Sequence, residues 1–128
     1  MIITMKEDGF AAQFEHQQLT VNSDEAKGFR PYQLLASSVA GCSAIVFQRI
    51  LDKMRLTYED FHIEIDVTRN EEKVNRVERI HLHYKVKGEA LTEKKIERAL
   101  HLARENCPIV QSVQDSIAVT ESFELVEA

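Results

Sequence analysis

At 128 residues, 44% of them hydrophobic and 29% charged, the chain has the length and balance of a single globular domain over residues 1–128, able to bury roughly two thirds of its unfolded surface, and neither disorder nor a fibrous architecture is suggested. A formal charge of -5 is repelled at long range by nucleic acid and by anionic membrane, so the expected partner is a small molecule or another protein. The opening MIITMKEDGF lacks the basic start and apolar run of a secretory signal, which makes the cytoplasm the default location; there, two cysteines are buried apolar side chains or redox groups more often than a structural disulfide.

Three short strand-compatible stretches come first, Ile2 to Met5, Phe10 to Phe14 and Gln18 to Val21, separated by turn-prone residues such as Asp8-Gly9 and read as a meander. Asn22 to Arg30 is a loop, and Pro31 suits the first turn of a helix. From Pro31 to about Arg55 nothing alternates with period two, which predicts one long helix crowded with Leu, Ala, Val and Ile. The 18 residues between Arg30 and Arg49 carry no charge. Even so, Pro31, Gln33, Ser37, Ser38, Ser43 and Gln48 make them too polar for a lipid-exposed span, and a helix buried in the protein or between two subunits fits better.

Two alternating runs follow: Phe61, Ile63, Ile65 and Val67, then Ile80, Leu82, Tyr84 and Val86. Paired as a hairpin across Glu71 to Asn75, they would set Asp66 against Arg79 and Glu64 against His81. Thr92 is a plausible N-cap for a second helix, with Ile96, Ala99, Leu100 and Ala103 on one face, ending near Glu105 and Asn106. Cys107 precedes Pro108, which favours an extended residue and then a new helical start through about Asp115. A strand from Ile117 to Val126 closes the chain.

The chemistry-bearing residues are few. Cys107, expected at a helix start, would have its thiolate favoured by unpaired N–H groups and the helix dipole. Cys42 sits mid-helix, so a thiolate there requires a cation or donor brought by tertiary or subunit contact. Gly41 and Ser43 flank it, small enough for a backbone or substrate to approach, the glycine costing about 1 kcal/mol relative to alanine. Both thiols could equally be inert core, as free cysteine commonly is. His81 and His83, with His62 opposite, suggest a metal site only weakly, because Arg79, Lys85 and Lys87 share that face and disfavour a divalent cation. His101 reads as a solvated or interfacial side chain. No cofactor loop, nucleophile elbow or zinc-type cysteine pair is present in the sequence.

Pro31-Tyr32-Gln33-Leu34-Leu35-Ala36, leading through Ser37 to Gly41 into Cys42, resembles the first cysteine helix of the OsmC/Ohr hydroperoxide-resistance proteins, and Asn106-Cys107-Pro108 resembles their second cysteine motif. The resemblance implies an α+β fold, antiparallel sheets packed around a long central helix, and an intertwined homodimer with active sites at the subunit interface. It also implies that Cys42 attacks a small-molecule hydroperoxide and becomes a sulfenic acid, that Cys107 resolves it as a disulfide, and that a dithiol reductant, lipoyl-linked in some branches, regenerates the pair. No cofactor is implied. Tyr32 stands where peroxide-reducing members have a glutamate, ten residues before the first cysteine, that orients an arginine. Arg30 and Tyr32 are therefore candidate activating neighbours. The departure keeps a second reading in play, a non-catalytic dimeric stress protein binding a small apolar ligand in the interface cleft.

Overall fold

The computed structural model describes residues 1–127 and is an α+β structure with two three-stranded sheets. The chain divides into two compact units, residues 1–37 and 38–128.

In the first unit, β1 (Ile2–Lys6), β2 (Gly9–Gln13) and β3 (Gln18–Val21) form the expected antiparallel meander. The turn between β1 and β2 needs its glycine. Gly9 has φ +108, and a Cβ there would lie 2.7 Å from the Val21 carbonyl oxygen. Only Ala11 and Ala12 of this sheet are buried, while Ile2, Ile3 and Met5 on β1 stand open. Pro31 opens α1 (Pro31–Lys53), and the N–H groups of Gln33 and Leu34 both donate to the Arg30 carbonyl.

Along α1 the residues Ala36, Val39, Ala40, Ser43, Phe47 and Leu51 are buried, a stripe at the three- and four-residue spacing of one helical face. By length and composition α1 could cross a membrane, with mean hydropathy 1.6 in an 18-residue window; its buried stripe is that of a helix packed on one side. Arg55, at φ 55, ends the helix in the left-handed conformation, and the Leu56 N–H returns to the Leu51 carbonyl at 3.0 Å, a Schellman-type closure usually made by glycine.

The second unit holds β4 (Asp60–Asn70), β5 (Arg76–Lys87), α2 (Glu93–Asn106), α3 (Pro108–Val113) and β6 (Ala118–Val126). Ile80, Leu82, Tyr84 and Val86 are fully buried on β5, the face that their alternation predicts. Phe47 of α1 packs edge-on against Tyr84 and Phe61, ring centroids 5.0 and 5.1 Å apart. Each such aromatic pair adds about 0.5–1.5 kcal/mol to its buried area and holds the middle of α1 close to β5. Thr92 caps α2 by accepting the Lys95 N–H at 3.3 Å, and Ile96, Ala99, Leu100 and Ala103 are its buried face, as expected.

Two details depart from expectation. The β5–β6 pair is parallel rather than antiparallel, because α2 and α3 occupy the connection and carry the chain back to the end where β5 began, as a parallel crossover requires. Within the β4–β5 hairpin, Asp66 faces His81, Glu64 faces His83 and Arg79 faces Thr68. The offset from the expected pairing is two residues: one goes to the turn, where Val74 and Asn75 have positive φ, and one to a bulge beside Thr68 and Arg69.

Candidate functional site

The second unit brings Cys42 and Cys107 together. Cys42 sits on α1 at the border of its buried stripe and is half-buried; Cys107 is wholly buried, and both are free thiols. Cys107 links α2 to α3. It is extended (φ -89, ψ 109), as the residue before a proline must be, and its carbonyl accepts the Gln111 N–H at 3.0 Å. Its backbone is thus clamped between two helices, which aims the sulfur at α1.

Three groups and burial set the ionisation of Cys42. The Ile109 backbone N–H, at the start of α3, lies near its sulfur and favours the thiolate, and the Arg49 guanidinium, two turns along α1, favours it too. Burial and the neighbouring Cys107 thiol oppose them. Burial is the largest effect, and the Cys42 pKa is pushed above the ordinary thiol range. The helix-start N–H of α3 thus acts on Cys42. Cys107 makes no side-chain hydrogen bond to the α3 amides; its sulfur lies instead 3.6 Å from the Ser43 hydroxyl.

Behind the sulfur pair, Ser43 is 4% exposed and Tyr84 fully buried. The Tyr84 hydroxyl lacks a hydrogen-bond partner. Ser43 is near enough to favour its phenolate electrostatically, though short of a formed bond; burial and the Glu121 carboxylate hold the Tyr84 pKa well above the usual phenol range. Glu121 is paired with Arg104 at 3.4 Å, and Arg104 also donates to the Val119 carbonyl at 2.6 Å. Burial nevertheless outweighs Arg104 and raises the Glu121 pKa.

The candidate neighbours Arg30 and Tyr32 meet each other in the first unit, the guanidinium carbon 4.8 Å from the ring centroid, a cation–π arrangement. The cation that acts on Cys42 is Arg49. Its seven-residue spacing from Cys42 places both on one helix face, a signal present in the sequence. Ser43 and Tyr84 carried no such signal, since their meeting depends on how α1 lies against β5.

The histidines form a separate arrangement on the other face of the sheet. His81 bonds the Thr120 and Ser122 hydroxyls at 2.6 and 2.8 Å, and His83 bonds Ser122 at 2.6 Å and Glu124 at 3.5 Å. Their ring nitrogens are committed to these neighbours, and among the described residues no group of three or more His, Cys, Asp or Glu side chains is placed to hold a metal. His101 pairs with Glu105 at 3.0 Å on the exposed side of α2.

A sulfur pair with one half-exposed and one buried thiol, held by a long helix and a helix junction in an α+β unit, defines a two-cysteine thiol protein. The chain belongs to the OsmC-like protein family, whose sequence profile matches residues 23–122. It is 30% identical over 114 residues to protein YhfA of Escherichia coli strain K12, a match covering 88% of this chain and 85% of that protein. The crystal structure of a hypothetical protein from Aquifex aeolicus superposes with a TM-score of 0.87 at 26% identity, covering 99% of this chain and 95% of that one. An organic hydroperoxide resistance protein OsmC from Legionella pneumophila, described as a predicted redox protein, superposes with a TM-score of 0.75 over 96% and 95% of the two chains. At 19% identity that likeness is one of fold.

Proposed function

We propose that the chain is a redox protein of the hydroperoxide-resistance type, a thiol-dependent peroxidase in which Cys42 is the nucleophile and Cys107 the resolving thiol. The observation that carries this reading is that the two free thiols, one half-buried and one buried, lie close enough for Cys107 to act on the ionisation of Cys42, which also has a backbone N–H and a cation near it. The Cys42 thiolate attacks the outer oxygen of a small organic hydroperoxide. The O–O bond breaks, the alkoxide takes a proton to leave as an alcohol, and Cys42 becomes a sulfenic acid. Cys107 then attacks that sulfur, the S–O bond breaks, and the hydroxyl departs as water with the proton of the Cys107 thiol. A dithiol reductant, of lipoyl type in the OsmC/Ohr resemblance, restores both thiols by exchange. The pair is re-reduced at each turnover, which suits a reducing cytoplasm, and the active form is a homodimer.

Tyr32 in place of the family's glutamate and the raised pKa of Cys42 favour a second reading, in which the protein binds a small apolar ligand as a dimeric stress protein without turnover. One experiment separates them. Reduced protein is exposed to an organic hydroperoxide, peroxide loss is followed, and thiols and disulfides are mapped by mass. The peroxidase reading expects a Cys42–Cys107 bond, loss of consumption in Cys42→Ser, and a trapped sulfenic acid on Cys42 in Cys107→Ser. Consumption that is absent, or that survives in Cys42→Ser, overturns it.

A further inference from the structure

Two buried hydroxyls next to the sulfur pair have no part in the chemistry so far. Ser43 is the residue after Cys42, yet its side chain faces the interior, with Oγ 3.6 Å from the Cys107 sulfur and 4% exposure. Tyr84 carries a fully buried hydroxyl without a partner. An unsatisfied hydroxyl in a core is costly, and a phenylalanine of nearly the same shape would avoid the cost. Its presence beside a redox pair therefore calls for a state in which it is used.

We propose that Ser43, backed by Tyr84, is a positioning residue for Cys107 that stabilises its sulfur as the leaving group when the Cys42–Cys107 disulfide is reduced. The inference rests on the redox reading above and concerns its last step. Of the two sulfurs Cys42 is the more exposed and Cys107 wholly buried, so the reductant's thiolate attacks Cys42. A sulfur–sulfur bond forms between reductant and Cys42, the Cys42–Cys107 bond breaks, and its electron pair departs on Cys107 as a thiolate. The reductant's second thiol then displaces Cys42 and closes its own disulfide, and the two protons lost by the dithiol end on Cys42 and Cys107.

A buried thiolate is a poor leaving group unless a donor meets it. Ser43 is at the required place. A serine hydroxyl has one proton and two lone pairs, so Ser43 can donate to the Cys107 sulfur while accepting from Tyr84. The Tyr84 hydroxyl, short of hydrogen-bond geometry in the dithiol form, turns onto Ser43 as negative charge appears, in the way that catalytic hydrogen bonds tighten along a reaction.

The test forms the disulfide with diamide rather than peroxide in wild type, Ser43→Ala and Tyr84→Phe, then follows its reduction by dithiothreitol with acid quench and mass. Ser43→Ala is expected to reduce about tenfold more slowly, the size of one hydrogen bond to a charged sulfur. Tyr84→Phe is also expected to be slower, while melting at or above the wild-type temperature because it loses only an unpaired hydroxyl; a purely structural role would move stability and leave the exchange rate alone. Wild-type reduction rates in both variants overturn the proposal, as does failure of diamide to link Cys42 to Cys107. A protein inert to peroxide that still shows these rate differences overturns the peroxidase reading and leaves the Ser43 assignment standing.

Discussion

Cys42 is pulled in opposite directions by groups that differ in how easily they can be changed. Burial and the Cys107 thiol raise its pKa; the Ile109 amide and Arg49 lower it. The sum lies above the ordinary thiol range, so at neutral pH the residue is mainly a thiol, and its reactivity should climb as pH passes upward through that raised value. Arg49 is exposed on α1, so Arg49→Gln should leave the fold intact. Loss of the cation favours the neutral form, so the midpoint of the pH–alkylation curve of Cys42 should move further up, and added salt should shrink the difference between variant and wild type. A midpoint that stays put or moves down would remove Arg49 from the site. That the two thiols would be neighbours was legible in the sequence only through the paired motifs, one in a helix and one at the Cys-Pro junction. What sets the protonation of Cys42 was not. The α3 amide that favours the Cys42 thiolate reaches it by packing between segments far apart in the chain.

At the scale of elements, helices and strands follow the local pattern closely, since Pro31, Thr92 and Pro108 mark helix starts by chemistry that acts within one turn and β5 shows its buried face by strict alternation. Pairing was less legible. The parallel β5–β6 ladder and the two-residue offset of the β4–β5 hairpin depend on which edges meet and on a bulge, neither of which leaves a periodic trace. One helix end also goes against local preference. Arg55 holds φ 55 to close α1, a conformation that costs a side-chain-bearing residue about 1 kcal/mol and costs glycine nothing sterically. Arg55→Gly should therefore raise stability by about 0.5–1 kcal/mol in urea unfolding, despite the greater freedom of glycine in the unfolded chain. A loss of stability would mean that the arginine side chain contributes more than its backbone costs.

For the whole molecule, the unsatisfied feature is the face of α1 opposite its buried stripe. Ser38, Gly41 and Gln48 are exposed there around Ile45, which is 54% exposed, and a Cβ built on Gly41 would meet nothing within 4 Å. Neither the glycine nor the isoleucine is explained by packing within one chain: alanine at position 41 would favour the helix by about 1 kcal/mol, and an isoleucine so exposed gives up much of its burial energy. A second copy lying on this face would account for both, with Gly41 allowing close approach beside Cys42 and Ile45 filling the seam. The proposed homodimer thus predicts sedimentation at twice the 14.7 kDa chain mass. Placing a charge in the seam by Ile45→Glu should weaken association about a hundredfold or more, because an unpaired carboxylate cannot be buried at low cost, while the separated chain keeps its helical circular-dichroism signal. The same variant should lose peroxide consumption only to the extent that it dissociates, so activity should recover at protein concentrations that restore the dimer. Wild-type protein that sediments as a monomer, or an Ile45→Glu variant that stays dimeric, would move the subunit interface away from α1.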